Sequence, residues 1–216
     1  MKTVDKLRFK IIDMNKTILA IETSSSICSV SLFKNGENIG ILENDTDRKH
    51  AEVLPIYVSS LLDNNQLKIK NIEAIAVSIG PGSFTGLRVG LSFAKGLAYA
   101  IKCPVIPVPT ILAMAYGLRF KKPLNGIIRS HGEKIFFQEF IWDKKVPSVK
   151  DKPVLGNIHN YLDKVIGGFH FNCEEFLTNA GNIYSAKPSA KDIAKLANIF
   201  FQKWHVPKPY DLTSEY

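Results

Sequence analysis

The chain has little cysteine: its 216 residues include only Cys28, Cys103 and Cys173, and none of them forms a CxxC pair. An odd count without paired spacing excludes a disulfide framework and a four-cysteine zinc site, and it favours a reducing, cytoplasmic compartment. Long apolar runs are missing too, since Arg88 and Lys95 interrupt the longest candidate. The sequence therefore predicts no membrane span, and its 45% hydrophobic and 22% charged residues are typical of a folded, soluble protein.

Motifs of metal-dependent and nucleophilic hydrolases are also missing. The five histidines show no helical pairing of the HxxxH or HExxH type, and the chain has no GxSxG segment. Neither a P-loop nor a GxGxxG fingerprint is present. The spacing of these residues predicts no metal site and favours a binding or scaffolding role over catalysis.

Charge is distributed unevenly. The 28 Lys and Arg residues against 20 Asp and Glu residues give a net charge of +8. Residues 17–118 are neutral overall, whereas residues 119–216 carry 15 basic and 10 acidic side chains. A basic excess is compatible with a nucleic-acid partner, but the chain is also rich in Lys, Asn and Ile, a composition that a biased genome alone produces. The charge leaves both interpretations open.

The order of apolar segments predicts an α/β fold. Three strands at 18–22, 28–33 and 38–45 open the chain, and Asn35-Gly36 is typical of a hairpin turn. They are followed by a helix over about 49–62, a strand at 73–79, a helix that ends near 101, and a strand at 105–108. Mixed sheets with helices packed on them are the expected architecture.

The second half partly repeats this order. A hairpin over 125–130 and 134–142, a strand at 167–172, and a helix over 189–204 with Ser189 as its N-cap are expected. We therefore predict two small lobes. The predicted division is an N-terminal extension (1–13), a first lobe (14–108) and a second lobe (109–216).

The segment GPGSFTGLRVG at 80–90 is the richest local signal. A glycine-rich turn between a buried strand and a helix can hold a phosphate, so Gly82 and Ser83 are candidates to face a nucleotide. The same glycines are equally explained by a tight turn that needs their backbone angles.

The helix after this turn is apolar over more of its surface than one sheet contact requires. On a helical wheel its apolar arc spans about 200°. Gly86, Gly90, Ala94 and Ala98 recur every four residues within that arc and form a smooth stripe. Such a stripe permits close packing either on the protein's own sheet or on a partner helix. If a partner helix packs there, Gly90→Leu should prevent pairing while the chain stays folded.

A polar turn, Thr23-Ser24-Ser25-Ser26, follows Glu22 and the first strand. It is similar to the phosphate-facing hairpin of the actin, Hsp70 and sugar-kinase superfamily, so Thr23 and Ser24 are further candidates to face a nucleotide. Phosphoryl transfer would need a second carboxylate from the opposite lobe to help hold magnesium. The corresponding strand reads Ile127-Ile128-Arg129-Ser130 and has none.

Taken together, several segments resemble the TsaB (YeaZ) family of the machinery that makes threonylcarbamoyladenosine in bacterial tRNA. They are ILAIETSSSICSVSLF (18–33), His50 with Leu54-Pro55, GPGSFTGLRVGLSFAKGLA (80–98), HGEKIFF (131–137) and PSAKDIAKLA (188–197). The resemblance implies a two-lobed fold related to actin and Hsp70 (the RNase H-like, ASKHA class).

The resemblance also implies a noncatalytic subunit that dimerises with a larger paralogue, TsaD, and supports threonylcarbamoyl transfer to adenosine 37 of tRNA. In the paralogue an HxxxH pair holds the metal ion, and this chain has Thr110 and Met114 at those positions. No cofactor of its own is implied; ATP and a metal ion belong to the complex. Further implied partners are a TsaE-type ATPase, tRNA through the complex, and a second copy of the chain when the paralogue is absent.

The family's heterodimer contact uses the helices that match 50–62 and 85–101 here. The predicted partner-contacting residues are Leu54, Leu61, Gly86, Gly90, Phe93, Ala94, Leu97 and Ala98. The chain departs from the family where Ile128-Arg129-Ser130 replaces Asp-Ala-Arg, and in a lysine-rich, shortened segment at 143–166. The alternative hypotheses are a small ATP-dependent kinase or ATPase that uses Glu22, Thr23 and the 80–86 loop, and direct tRNA binding through the basic second half.

Overall fold

A computed structural model describes residues 16–46, 49–177 and 182–212. The strands are β1 (Ile18–Glu22), β2 (Ile27–Lys34), β3 (Glu37–Asp45), β4 (Ala74–Ser78), β5 (Val105–Val108), β6 (Asn125–His131), β7 (Lys134–Asp143), β8 (Val146–Val149), β9 (Val154–Asn157), β10 (Phe169–Phe171) and β11 (Tyr184–Ser185). The helices are α1 (His50–Asn64), α2 (Phe84–Ile101), α3 (Thr110–Gly117), α4 (Ala190–Ile199) and α5 (Phe201–Trp204). The predicted extension at 1–13 lies outside the described residues.

The first sheet has the order β3-β2-β1-β4-β5. Strands β1, β2 and β3 are antiparallel neighbours, and the predicted Asn35-Gly36 turn joins β2 to β3. Strands β4 and β5 run parallel to β1. Strand β1 is buried on both faces and alternates between two cores. Leu19 and Ile21 pack towards α1 and α2, and Ile18 and Ala20 pack towards α3 and α4. Helices therefore cover both faces of this sheet.

The second sheet has the order β11-β10-β6-β7-β8, and β9 pairs with the first half of β7. The predicted hairpin of β6 and β7 around Gly132 is present. Its own small core includes Ile127, Ile135 and Ile158, all fully buried. On its other face, Ile128 and Phe169 join the core that contains α3 and α4, so the two sheets share one apolar layer.

Helix α4 belongs to the predicted second lobe (109–216) in sequence, but it packs on the sheet of the first lobe. Helix α4 packs across β1 and β2 of the first sheet, although it follows the second sheet along the chain. The predicted helix over 189–204 is divided at Phe200 into α4 and α5. Ser189 holds the N-cap position without a capping side-chain bond; instead, the Ala190 N–H donates to Ser29 Oγ of β2 at 2.9 Å. No helix of the described residues is both long and apolar enough to span a bilayer.

Candidate functional site

The glycine-rich loop and the Thr23–Ser26 turn are packed directly against each other. The Ser83 N–H donates to the Ser24 carbonyl at 2.7 Å, and Thr23 Oγ1 donates to the Gly86 carbonyl at 2.8 Å. Gly80 has φ of 109°, a backbone conformation that favours glycine. These contacts join the end of β1 to the start of α2 and leave no open cradle between them.

This packing buries two of the four residues predicted to face a nucleotide. Thr23 and Ser24 are buried at 0% and 4% exposure, so their side chains do not face a ligand in the folded chain. Gly82 is partly exposed, and a Cβ there would lie 2.4 Å from the Ser24 carbonyl oxygen. Ser83 is exposed and accepts a bond from the Gly86 N–H at 3.2 Å, which caps α2. Both segments thus attach α2 to the sheet, and the kinase hypothesis loses the side chains of Thr23 and Ser24 but keeps the exposed Ser83.

Glu22 is the most perturbed acid in this region. Its carboxylate is fully buried at the end of β1 and accepts a hydrogen bond from the Ser24 N–H at 2.5 Å. Burial raises the pKa of Glu22 to about 7, and hydrogen bonds from Ser24 and Ser78 offset only part of that effect. Burial therefore favours the protonated form of this carboxyl group up to a higher pH than in an exposed glutamate.

A groove of about 540 Å³ lies where α3, α4 and β3 approach one another. Its walls include Met114 and Gly117 of α3 and Asp192 of α4. Lys187 pairs with Glu43 across it at 2.8 Å, so two of its charges neutralise each other. Burial raises the pKa of Asp192, whose carboxylate lies so close to Gly117 that a Cβ there would be 2.8 Å from Oδ2.

The two positions that the family resemblance matches to the HxxxH pair, Thr110 and Met114, lie on α3. Thr110 is fully buried at its first residue, and Met114 is buried one turn later. A hydroxyl and a thioether do not supply the imidazoles of an HxxxH pair. Within residues 16–46, 49–177 and 182–212, no three His, Cys, Asp or Glu side chains are grouped closely enough to bind one metal ion.

The smooth stripe of α2 faces this chain's own sheet. Gly86, Gly90, Ala94 and Ala98 are all buried, and a Cβ on Gly86 would lie 2.0 Å from the Thr23 carbonyl oxygen. Leu54 and Leu61 of α1 are likewise buried in the core, at 0% and 3% exposure. These six residues pack within the chain, which explains the smooth stripe without a partner, and their contact with a partner stays a prediction. Phe93 and Leu97 remain partly exposed.

A different side of α2 is exposed to solvent. Beyond the buried stripe, the wheel of α2 continues through Val89, Phe93, Leu97 and Ala100, which are all partly or fully exposed. The neighbouring helix α1 adds Ile56, which is 61% exposed. We call these five residues the outer helix face. Sequence reasoning missed Val89, Ala100 and Ile56, although the excess width of the apolar arc was the signal that could have found Val89 and Ala100.

Comparison with known proteins identifies the family. A family model described as "TsaD: tRNA N6-adenosine threonylcarbamoyltransferase" matches residues 23–135, more than half of the chain. The "tRNA threonylcarbamoyladenosine biosynthesis protein TsaB" of Buchnera aphidicola is 31% identical over 164 residues, which cover 71% of each protein. The chain belongs to the TsaB family.

Other relatives match a smaller part of their own length. The TsaB protein of Haemophilus influenzae is 35% identical over 133 residues, which cover 60% of this chain and 56% of that protein. A tRNA N6-adenosine threonylcarbamoyltransferase of Staphylococcus epidermidis is 30% identical over 185 residues, covering 73% of this chain and 54% of that enzyme. The chain thus spans little more than half of these two relatives.

The fold of the family is confirmed by solved structures. YeaZ from Pseudomonas aeruginosa superimposes with a TM-score of 0.81 at 22% identity and covers 93% of this chain and 100% of its own. A second Pseudomonas aeruginosa structure, described as similar to peptidase YEAZ, gives the same TM-score at 21% identity. The α/β architecture with two mixed sheets that the TsaB resemblance implies is therefore shared with YeaZ.

Proposed function

We propose that this chain is a noncatalytic subunit that dimerises with a TsaD-type paralogue and supports threonylcarbamoyl transfer to adenosine 37 of tRNA. A TsaE-type ATPase and tRNA complete the proposed assembly, and ATP and the metal ion act in the partners. The observation that carries the proposal is the outer helix face, an apolar surface on α1 and α2. On the other face of the first sheet, α3 has Thr110 and Met114 in place of a metal-binding pair.

The outer helix face is suited to a partner helix because four of its five residues lie along one side of α2. Val89, Phe93 and Leu97 recur every four residues, while the polar side of the helix carries Arg88 and Lys95. Exposed apolar rows of this kind on folded proteins usually mark interaction sites. Burial of the row against an apolar helix of the paralogue would remove it from water, and the same row would pair two copies of the chain when the paralogue is absent.

The proposal is tested by placing one charge on the outer helix face. Val89→Glu should weaken co-purification with the same cell's TsaD-type protein by about 100-fold or more, because an unpaired carboxylate would be buried in the contact. The same variant should fail to restore threonylcarbamoyladenosine in tRNA after depletion of the natural protein, as measured by nucleoside analysis. Val89 is partly exposed, so its replacement should leave the fold intact.

The matched control is Tyr99→Glu. Tyr99 is 72% exposed and lies on the polar side of α2, so the control adds the same charge to the same helix outside the outer helix face. It should co-purify and support modification as the unaltered chain does. Circular dichroism and the thermal midpoint of both variants establish that they are folded. If folded Val89→Glu still co-purifies undiminished, the proposed contact is wrong.

A further inference from the structure

On the second lobe, two cations contact the ring of one exposed phenylalanine. Phe120, in the loop after α3, is 70% exposed. The Arg119 guanidinium lies 4.9 Å from its ring centroid and the Lys145 ammonium lies 4.4 Å from it. Lys145 belongs to the turn between β7 and β8, so two segments distant in sequence meet at one aromatic ring. Phe120 thus stays 70% exposed although both cations contact its ring.

Positive charge is concentrated around that ring. We call Arg119, Phe120, Lys121, Lys122, Lys144 and Lys145 the basic-aromatic patch. None of its five cations forms an ion pair with an acidic side chain of the described residues, and Asp143 is the acid adjacent to them in sequence. Lys195 of α4 lies near the patch: burial and then the Arg119 charge lower the pKa of Lys195. Asp192 is a further acid near the patch, since the Arg119 charge acts on its carboxyl group. Five cations against these two acids still give a positive surface that favours an anionic partner.

The two segments of the patch are held together by specific contacts. Trp142 Nε1 at the end of β7 donates to the Pro123 carbonyl at 2.8 Å, which joins the β7–β8 turn to the loop after α3. Arg119 Nη1 donates to the Tyr116 carbonyl at 3.2 Å, and its guanidinium lies 4.8 Å from the Tyr116 ring centroid. The patch is therefore arranged before any ligand arrives.

We propose that the basic-aromatic patch binds single-stranded RNA. The open Phe120 ring supplies a stacking surface for one base, and the surrounding lysines contact the phosphates on either side of it. An acidic protein would use the charges but would not need an open aromatic platform between them, which favours RNA. The inference rests on the proposed function in one respect: tRNA is the RNA that such a subunit would meet.

The test is binding of the full chain to a fluorescein-labelled, unstructured 12-nucleotide RNA, followed by fluorescence anisotropy from 50 to 300 mM KCl. Phe120→Ala should weaken binding by about 5-fold or more with an unchanged salt slope, since it removes stacking only. Lys122→Ala combined with Lys145→Ala should weaken binding and reduce the slope of log K against log salt by about 1.4, since two phosphate contacts are lost. Tyr99→Ala, and Lys68→Ala combined with Lys70→Ala, are matched controls on exposed residues of the first lobe and should bind normally.

Three results would overturn the proposal: no binding at 50 mM KCl, equal binding by Phe120→Ala, or Phe120-dependent binding to anionic phosphatidylglycerol vesicles in place of RNA. A fourth, equal loss of affinity in the lysine control pair, would show that binding is spread over all cations and would also contradict the patch. The assay contains no paralogue, and Val89→Glu should retain full RNA affinity. Failure of RNA binding and failure of pairing are therefore separate outcomes.

Discussion

Gly86→Ala is expected to lower the free energy of unfolding by about 3 kcal/mol or more, whereas Gly96→Ala should raise it by up to about 1 kcal/mol. The two glycines lie in the same helix, α2, and the substitution is identical. At position 86 the new Cβ would lie 2.0 Å from the carbonyl oxygen of Thr23, the residue that directly follows β1. At position 96 no atom lies within 4 Å of the new Cβ, so only the gain in helix propensity remains.

Urea unfolding of the two variants and the unaltered chain, followed by circular dichroism, measures both effects. A Gly86→Ala midpoint equal to that of the unaltered chain would show that α2 and the Thr23 turn are not in contact. The same geometry revises the expectation for Gly90→Leu, because a Cβ at Gly90 would lie 2.2 Å from Thr23 Oγ1. That variant should lose its fold, so loss of pairing in it would carry no information about the interface.

The sequence predicted the regular strands and missed elements that lack a periodic signal. The hairpin at Asn35-Gly36 and the buried strand β4 had clear local patterns, and both are present. Helix α3 was missed because residues 110–115 are all buried between the two sheets, so no polar face marks the helical period. Strands β8 and β9 were missed because they are short strands in the lysine- and proline-containing segment after residue 143.

The sequence does not show whether the predicted contact residues of α2 pack inside the chain or on a partner, for a physical reason. Small residues every four positions permit close approach of any backbone, and spacing does not distinguish the chain's own β1 from a partner helix. Gly86 and Gly90 meet Thr23 of the same chain. The residues that remain open, Val89 and Ile56, are ordinary apolar residues whose exposure depends on how α1 and α2 are packed. Such a surface is recognised from the folded chain and not from a motif.

Glu22→Gln is expected to stabilise the chain by about 3 kcal/mol at pH 8 and by less than about 1 kcal/mol at pH 5. Burial raises the pKa of Glu22 from 4.5 to about 7, so the folded chain keeps a proton that the unfolded chain has lost across this range. The contribution of Glu22 to stability is therefore fully present below pH 4.5 and is lost as the pH rises to about 7. Glutamine stays neutral at every pH, retains an acceptor for the Ser24 N–H and can donate to Ser78. Urea midpoints measured at both pH values give the two differences.

Glu43→Gln is the control with the opposite sign. Burial alone would raise the pKa of Glu43, but hydrogen bonds from Lys187, Ser189 and Ser29 outweigh burial and hold it below its usual value. Its contribution to stability is present above the unfolded pKa and lost as the pH falls, so Glu43→Gln should destabilise the chain near neutral pH and less in acid. A Glu22→Gln chain no more stable than the unaltered one at pH 8 would mean that Glu22 is charged at no cost in the folded state, and that the buried end of β1 admits water.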